Sequence, residues 1–516
     1  QIAEENSDAA TNSLMLPETQ AARMKPIERG TWLALIAMGI AVFVIANDFS
    51  AINVAIPQIE HDFKTDVTTA QWVVNAYALT FGVLIVTGGR LADLFGRRRA
   101  FFIGTAIFAT FSVLGGAAQS EAWLITMRVL MGIGGALMWP AILGMTYAAL
   151  PEERAGLAGG FILGAAGIGN AAGPLIGGAL TDLLSWRWIF FLNLPVSLFA
   201  MFVTWREVHQ PRPEVEDTRI DYAGIVTVSV GLVSLLLAFD QVIDWGWGDP
   251  RIIALFVLFA VLISSFVVVE RRAGAHALVP PDVIRNRDFA YTCAAILMMS
   301  AVFFAAMLYL PQLMINVLGY SPIGAGAGML PMMATFAAVS FAAGSLYQRF
   351  GAKPLLILGS LCIAVGPALV ALFAGQETYG AIVPGMAVLG LGIGLFYPTA
   401  TTAGVTAVDE SRRSLAGAII YMFQIAGGSV GLGLTTTVFI GASDRATSGS
   451  GFIDGIQTAF TMDAAIAVGG FLIASFLIGG HPKLMRGRSA GEAVERPVSR
   501  RVHRLHAGPS PRGHGP

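Results

Sequence analysis

Charge is what this chain has least of. Asp, Glu, Lys and Arg make up 13% of its residues, where soluble domains carry about 25%. All four lysines and all seven histidines fall in loops or tails between apolar runs. The runs therefore hold no imidazole cluster for a metal or for acid–base work. No HExxH pattern and no GxxxxGK[ST] loop occurs, which removes a zinc hydrolase and an ATP-driven pump. A membrane enzyme would need a nucleophile or a metal set at membrane depth, and the runs hold no histidine to serve either. The two cysteines, Cys293 and Cys362, both lie in apolar runs, so no disulfide framework is implied. Residues 1–30 are polar and of mixed charge, without the pattern of a cleaved signal. The formal net charge is −1, and no nucleic-acid partner is expected.

What fills the chain is apolar. Hydrophobic residues make up 55%, and the mean hydropathy is +0.68. Sixty glycines suit helices that pack closely in lipid. A helix needs about 20 apolar residues to cross the bilayer core. Such runs stand near 31–56, 69–89, 100–118, 122–147, 155–180, 188–205, 221–239, 251–269, 289–311, 322–346, 354–374, 379–403, 414–440 and 457–480. Fourteen spans put both termini on one side. With that side in the cytoplasm, 27 of the 32 Lys and Arg fall inside. Only Lys64, Arg187, Arg251 and Arg445 fall outside, and Arg128 lies within a span. So strong a bias fits the positive-inside rule.

The chain also repeats itself. Gly132-Ile-Gly-Gly-Ala-Leu-Met-Trp-Pro140 returns 258 residues later as Gly390-Leu-Gly-Ile-Gly-Leu-Phe-Tyr-Pro398. The same offset carries Leu157-Ala-Gly159 onto Leu415-Ala-Gly417 and Arg154 onto Arg412. Close to it, 89–96 matches Gly344-Ser-Leu-Tyr-Gln-Arg-Phe-Gly351, with Gln348 in place of Asp93. Spans 2, 4 and 5 thus have counterparts in spans 10, 12 and 13. Two six-helix bundles, spans 1–6 and 9–14, follow, with spans 7 and 8 outside the repeat. Bundles so duplicated are a transporter design with a binding site between the halves at mid-membrane.

The stretch Gly88-Gly89-Arg90-Leu91-Ala92-Asp93-Leu94-Phe95-Gly96-Arg97-Arg98-Arg99 joins spans 2 and 3. Its glycines permit a tight reversal, and its arginines anchor the loop on the cytoplasmic side. Asp93, among four arginines, suits a salt bridge or a helix-start contact. A basic loop can be a topology anchor and nothing more. The pattern Gly89-x-Leu91-x-Asp93-x-x-Gly96-Arg97-Arg98, however, resembles the loop 2–3 signature of the major facilitator superfamily. Asp48 stands in Asn47-Asp48-Phe49-Ser50-Ala51-Ile52-Asn53-Val54-Ala55-Ile56-Pro57, which resembles span 1 of the fourteen-span drug:proton antiporters, with Ser50 for the usual Thr. Arg128 precedes a Gly/Ala-rich helix as in the superfamily's span 4, with Met131 where Gln is usual. Gly169, Gly173, Pro174, Gly177 and Gly178 resemble the span 5 antiporter motif. Gln71-Trp72-Val73-Val74-Asn75-Ala76-Tyr77 and Trp186-Arg187-Trp188-Ile189-Phe190-Phe191-Leu192-Asn193-Leu194-Pro195 agree with the same branch.

Ionisable residues inside a span are costly and are functional candidates. Asp48 and Arg128 are the deepest here; Asp240, Asp244 and Asp463 are placed nearer the outer ends, within reach of water. Asp48 reads as a proton or cation carrier, or else as a structural acid hydrogen-bonded to Asn47 or Ser50 or facing the outer vestibule. Arg128 reads as the fixed charge that helps a nearby carboxyl release its proton, or else as a side chain snorkelling outward. Asn53, Asn75, Tyr309, Gln312, Phe396, Tyr397 and Gln424 are the candidate cavity lining, each equally able to pack between helices.

The resemblance implies an all-α polytopic membrane protein of the major facilitator fold. Residues 1–30 are a cytoplasmic tail, 31–205 the first bundle, 206–270 a linker with two extra spans, 271–480 the second bundle, and 481–516 a basic, disordered cytoplasmic tail. It further implies a monomeric proton-coupled exporter of hydrophobic or amphiphilic compounds in the cell membrane. Such a protein needs no cofactor, draws on the proton gradient, and has protons, the small-molecule substrate and the lipid bilayer as partners. Asp93 would brace the inward-closed state with Arg97 or Arg98. The alternative is a proton-linked exporter of a lipid or secondary metabolite; more remote are a membrane enzyme and a receptor that transports nothing.

Overall fold

A computed structural model describes residues 27–478, apart from 66, 152–153, 209–220, 274–276, 281–282, 284 and 444–450. Most of the N-terminal tail, most of the charged linker 206–220, Arg445 and the basic C-terminal tail lie outside the described residues. Fourteen of the described helices are long and apolar enough to cross a membrane. They are α1 (Arg29–Phe63), α2 (Val67–Phe95), α3 (Arg97–Gly116), α4 (Glu121–Ala148), α5 (Ala155–Leu183), α6 (Arg187–Glu207) and α7 (Tyr222–Trp245). Then follow α8 (Pro250–Ala273), α9 (Arg287–Asn316), α10 (Leu330–Phe350), α11 (Ala352–Phe373), α12 (Tyr379–Thr406), α13 (Arg413–Ser443) and α14 (Gly451–Leu472). No strand occurs among the described residues.

Polar side chains set where several helices begin. Ser120 accepts the N–H of Trp123 at the start of α4, Asp221 that of Gly224 at α7, and Asn286 that of Phe289 at α9. Each satisfies a donor that the first turn leaves open. Two reversals rest on glycine. Gly96, between α2 and α3, has φ 102°, and Gly351, between α10 and α11, has φ 78°; a side chain there would be strained. The two are counterparts in the repeat. Span 10 differs from expectation. The run 322–346 is broken at Met329 into a short helix, Pro322–Gly328, and α10. Pro331 has no N–H to offer the carbonyl four residues back, so the helix restarts there.

Helices α1 to α6 pack among themselves, as do α9 to α14, with α7 and α8 as a hairpin beside them. The halves meet along two seams, α2 on α13 and α5 on α10. The repeat is visible atom by atom. Gly89 lies against the Ser414 carbonyl and the Leu415 backbone, and Gly344 against the Gly156 carbonyl and the Leu157 backbone. Each residue of one contact is the repeat partner of a residue in the other. A methyl group at Gly89 would sit 2.6 Å from the Ala418 Cβ, so glycine is what allows this approach.

Candidate functional site

Between the halves lies a cavity of about 750 Å³, within the range of small-molecule sites. It opens away from the basic loop 2–3. Pro57 of α1, Trp72 of α2, Pro174 of α5, Asp240 of α7 and Gln312 of α9 stand toward its mouth. Its floor is aromatic and drawn from both halves: Trp139 of α4 and Tyr421 of α13 have ring centroids 4.4 Å apart, and Phe81 of α2 meets Tyr421 at 5.4 Å. Asn53, Asn75, Gln312, Tyr397 and Gln424 line the cavity, as expected of them.

Tyr309 and Phe396 do not. Tyr309 turns away to donate to Thr436 Oγ1 at 2.7 Å and packs on Phe439. Phe396 is fully buried on the side of α12 that meets Gly359 of α11. Phe396 and Tyr397 are neighbours, and one residue turns a helix by about 100°. That rotation points Tyr397 toward the cavity, where its hydroxyl meets Ser300 at 2.8 Å.

Beyond the floor the halves are sealed. The Asp93 carboxylate accepts the Leu415 N–H at 2.9 Å, at the start of α13 in the opposite half. It also accepts Arg97 Nε at 3.1 Å. Asp93 is thus both salt-bridged and at a helix start, where a carboxylate is favoured. Arg97 donates onward to the Gly144 carbonyl at 3.2 Å and to the Glu410 carbonyl. Arg98 is not Asp93's partner; it reaches the Trp205 carbonyl at 2.9 Å. Tyr147 of α4 and Thr402 of α12 add a hydrogen bond of 3.0 Å across the same end.

Asp48 and Arg128 are joined. Arg128 Nη1 lies 2.5 Å from Asp48 Oδ2, with both side chains wholly buried. Asn193 Nδ2 donates to Asp48 Oδ1 at 2.9 Å and stands 3.0 Å from Ser112 Oγ. Arg128 Nε donates to the Val73 carbonyl at 2.7 Å, and the guanidinium stacks 4.3 Å from the Tyr77 ring. One buried cluster therefore ties α1, α2, α3, α4 and α6 together. Neither expected partner of Asp48 is used: Ser50 Oγ bonds the Ala46 carbonyl instead. Arg128 does not snorkel. Asp48 is itself outside the cavity lining, although the next two residues, Phe49 and Ser50, belong to it.

The span 5 glycines explain how α1 is held. Gly169 approaches the Phe43 carbonyl and Ala46 Cβ, each 2.8 Å from where a methyl would be; Gly173 meets Ser50 and Gly177 meets Ala51. Spaced by four, they form one face that clasps α1 on both sides of Asp48. Gly178 is off that face, with nothing closer than 3.7 Å, and Pro174 turns toward the cavity.

Of the acids placed nearer the outer ends within reach of water, Asp463 is not there, whereas Asp240 is. Asp463 is buried and accepts from Thr435 at 2.7 Å, away from water. Asp240 lines the central cavity and accepts from Asn75 at 2.9 Å. Asn193 and Tyr77 stood in quoted motifs, so their signal was there without a role; Ser112 carried none.

Several findings on other proteins agree with this architecture. Residues 38–432 match the model of the Major Facilitator Superfamily. The puromycin resistance protein pur8 of Streptomyces alboniger is 33% identical, over 90% of this chain and 93% of its own. The multidrug transporter protein MdtP of Bacillus subtilis (strain 168) is 33% identical, over 81% and 76%. The solved structure of the proton:xylose symporter XylE superposes with a TM-score of 0.61 at 14% identity, covering 87% of this chain and 96% of its own. A family match over most of the chain, on fourteen helices in two duplicated halves, means that this protein belongs to the major facilitator superfamily and is a membrane transporter, not an enzyme.

Proposed function

We propose that this protein is a proton-coupled antiporter of the cell membrane that exports hydrophobic and amphiphilic drugs, many of them cationic, by alternating access. The observation that carries this is the cavity. It is lined mainly by aromatic and aliphatic groups with sparse amides, lies between two duplicated halves, is open at one end and is sealed at the basic-loop end. The positive-inside rule supports a cytoplasmic location for the basic loops and the sealed end; in this reading the conformation is outward-open and both termini are cytoplasmic. It works as a monomer, each chain having its own cavity, and needs no cofactor beyond the proton gradient.

Asp48 is the proton carrier in this reading. A proton arriving at Asp48 takes away the counter-charge of Arg128, which is buried beside it. Protonation and rearrangement of the five helices around the pair then have to occur together. Breaking the Asp93 to Leu415 contact would open the cytoplasmic seam, while the mouth closes by rocking of one half on the other. The test is efflux in everted vesicles under an imposed acidity gradient, with cationic, neutral and lipid-like compounds. Gradient-driven movement of several unrelated amphiphiles is expected; none for any compound overturns the reading.

A narrower reading, proton-linked export of a single secondary metabolite, is favoured by a relative named for resistance to one antibiotic, puromycin. The same panel separates the two, because a single-substrate exporter moves one chemotype only.

A further inference from the structure

The cavity's lining has one formal charge, and it does not come from either duplicated half. Among the described residues around the cavity, Asp240 is the only acidic or basic side chain. It belongs to α7, one of the two spans that the repeat leaves out. Two amides hold it in place: Asn75 Nδ2 of α2 donates to one carboxylate oxygen at 2.9 Å, and Gln241 Nε2 to the other at 2.8 Å.

The placement of α7 explains how a linker helix reaches a central site. It packs on α2 of one half and α13 of the other. Phe239 lies against Gly433 of α13, and Trp247, just past the end of α7, donates to Thr437 of α13 at 2.8 Å. The helix therefore closes one side of the cavity at the seam between halves, and its acid faces the space where a ligand enters. The rings of Trp72, Phe303 and Phe304 share that space. A carboxylate and ring faces at the edge of an apolar cavity are two attractions for one kind of group, a weakly hydrated organic cation.

We propose that α7 is a specificity element, and that Asp240 is the residue through which the cavity prefers monocationic amphiphiles, such as lipophilic ammonium or phosphonium ions, over neutral molecules of the same shape. The proposal rests on the exporter reading and gives the extra spans a task within it. Asp48 and Arg128 are set apart from this task, since both are buried behind the cavity wall.

The experiment compares tetraphenylphosphonium with the neutral triphenylphosphine oxide, in binding to the purified full chain and in efflux from everted vesicles. In the unaltered protein the cation is expected to bind more tightly. Asp240→Asn should weaken cation binding at least tenfold, leave the oxide within twofold, and keep an unchanged thermal midpoint; Asp240→Glu should keep most of the preference. Equal losses for both probes, or no loss for either, overturn the proposal. If the unaltered protein moves the oxide but shows no preference for the cation, the proposal fails while the exporter reading stands. If it binds and moves neither, the exporter reading fails and this one with it.

Discussion

Asp48 and Arg128, 80 residues apart in the chain, meet at 2.5 Å inside the first bundle with neither side chain exposed. Removing one partner of such a pair leaves a buried charge and costs about 3–5 kcal/mol. Asp48→Asn is therefore expected to lower the thermal midpoint of the purified protein and to abolish gradient-driven efflux. Pairing it with Arg128→Gln should restore most of the stability but none of the coupling. Normal efflux by Asp48→Asn would remove the proton role, whatever the stability did.

The face that α5 presents to α1 gives a second prediction with its own control. A methyl at Gly173 would collide with Ser50 Oγ, two residues from Asp48. Gly173→Ala should impair coupled transport more than ligand binding, because the displaced helix carries Asp48 and only one side wall of the cavity, whose aromatic floor comes from α2, α4 and α13. Gly178→Ala, with 3.7 Å of clearance, should behave as the parent. Matching losses of flux and affinity in Gly173→Ala would count against this.

The seal predicts an imbalance between faces. The Asp93 carboxylate holds Leu415 N–H across the seam, and hydrogen bonds to charged groups are worth about 1.5–3 kcal/mol. Asp93→Ala should lower the population of the sealed conformer roughly tenfold or more, read by spin-label distances across that end. Gln348→Ala, at the repeat position of Asp93, should leave the distances unchanged.

Cavity and packing roles separate in a fourth measurement. Phe396→Leu and Tyr309→Phe should leave ligand affinity within about twofold, since both side chains face neighbouring helices. Tyr397→Ala and Gln424→Ala should each weaken it. An affinity loss in Phe396→Leu at unchanged thermal stability would show that the ring reaches the ligand.

Much of the architecture could be read from residue order alone. The fourteen apolar runs became fourteen long helices, the tenth starting late after a break at Met329, and the internal repeat became paired contacts, with Gly344 on Leu157 as Gly89 is on Leu415. Asp48 and Arg128 were each conspicuous as charges in apolar runs. Their union was not, because it depends on how α1 and α4 are rotated, and helices that are apolar all round give little sign of their facing. Asn193 was hidden for the same reason, 145 residues from the acid it touches. Phe396 was misplaced by a single residue's rotation. Asp240 was read as an acid near an outer end of its span; that it also faces the central cavity depends on where α7 packs, and spans 7 and 8 have no repeat partner to suggest that.

The two seams are the same joint built twice, yet among the described residues they are fastened differently. On the α2 side a carboxylate grips a backbone amide; on the α5 side the matching position holds an uncharged glutamine, and glycine lies on glycine. Glycine faces can slide in small steps, whereas a charged grip lets go all at once. The molecule should thus begin to part at the joint without a charged grip, so that a way into the cavity from the leaflet on the basic-loop side appears sideways, between α5 and α10, before the end itself comes open.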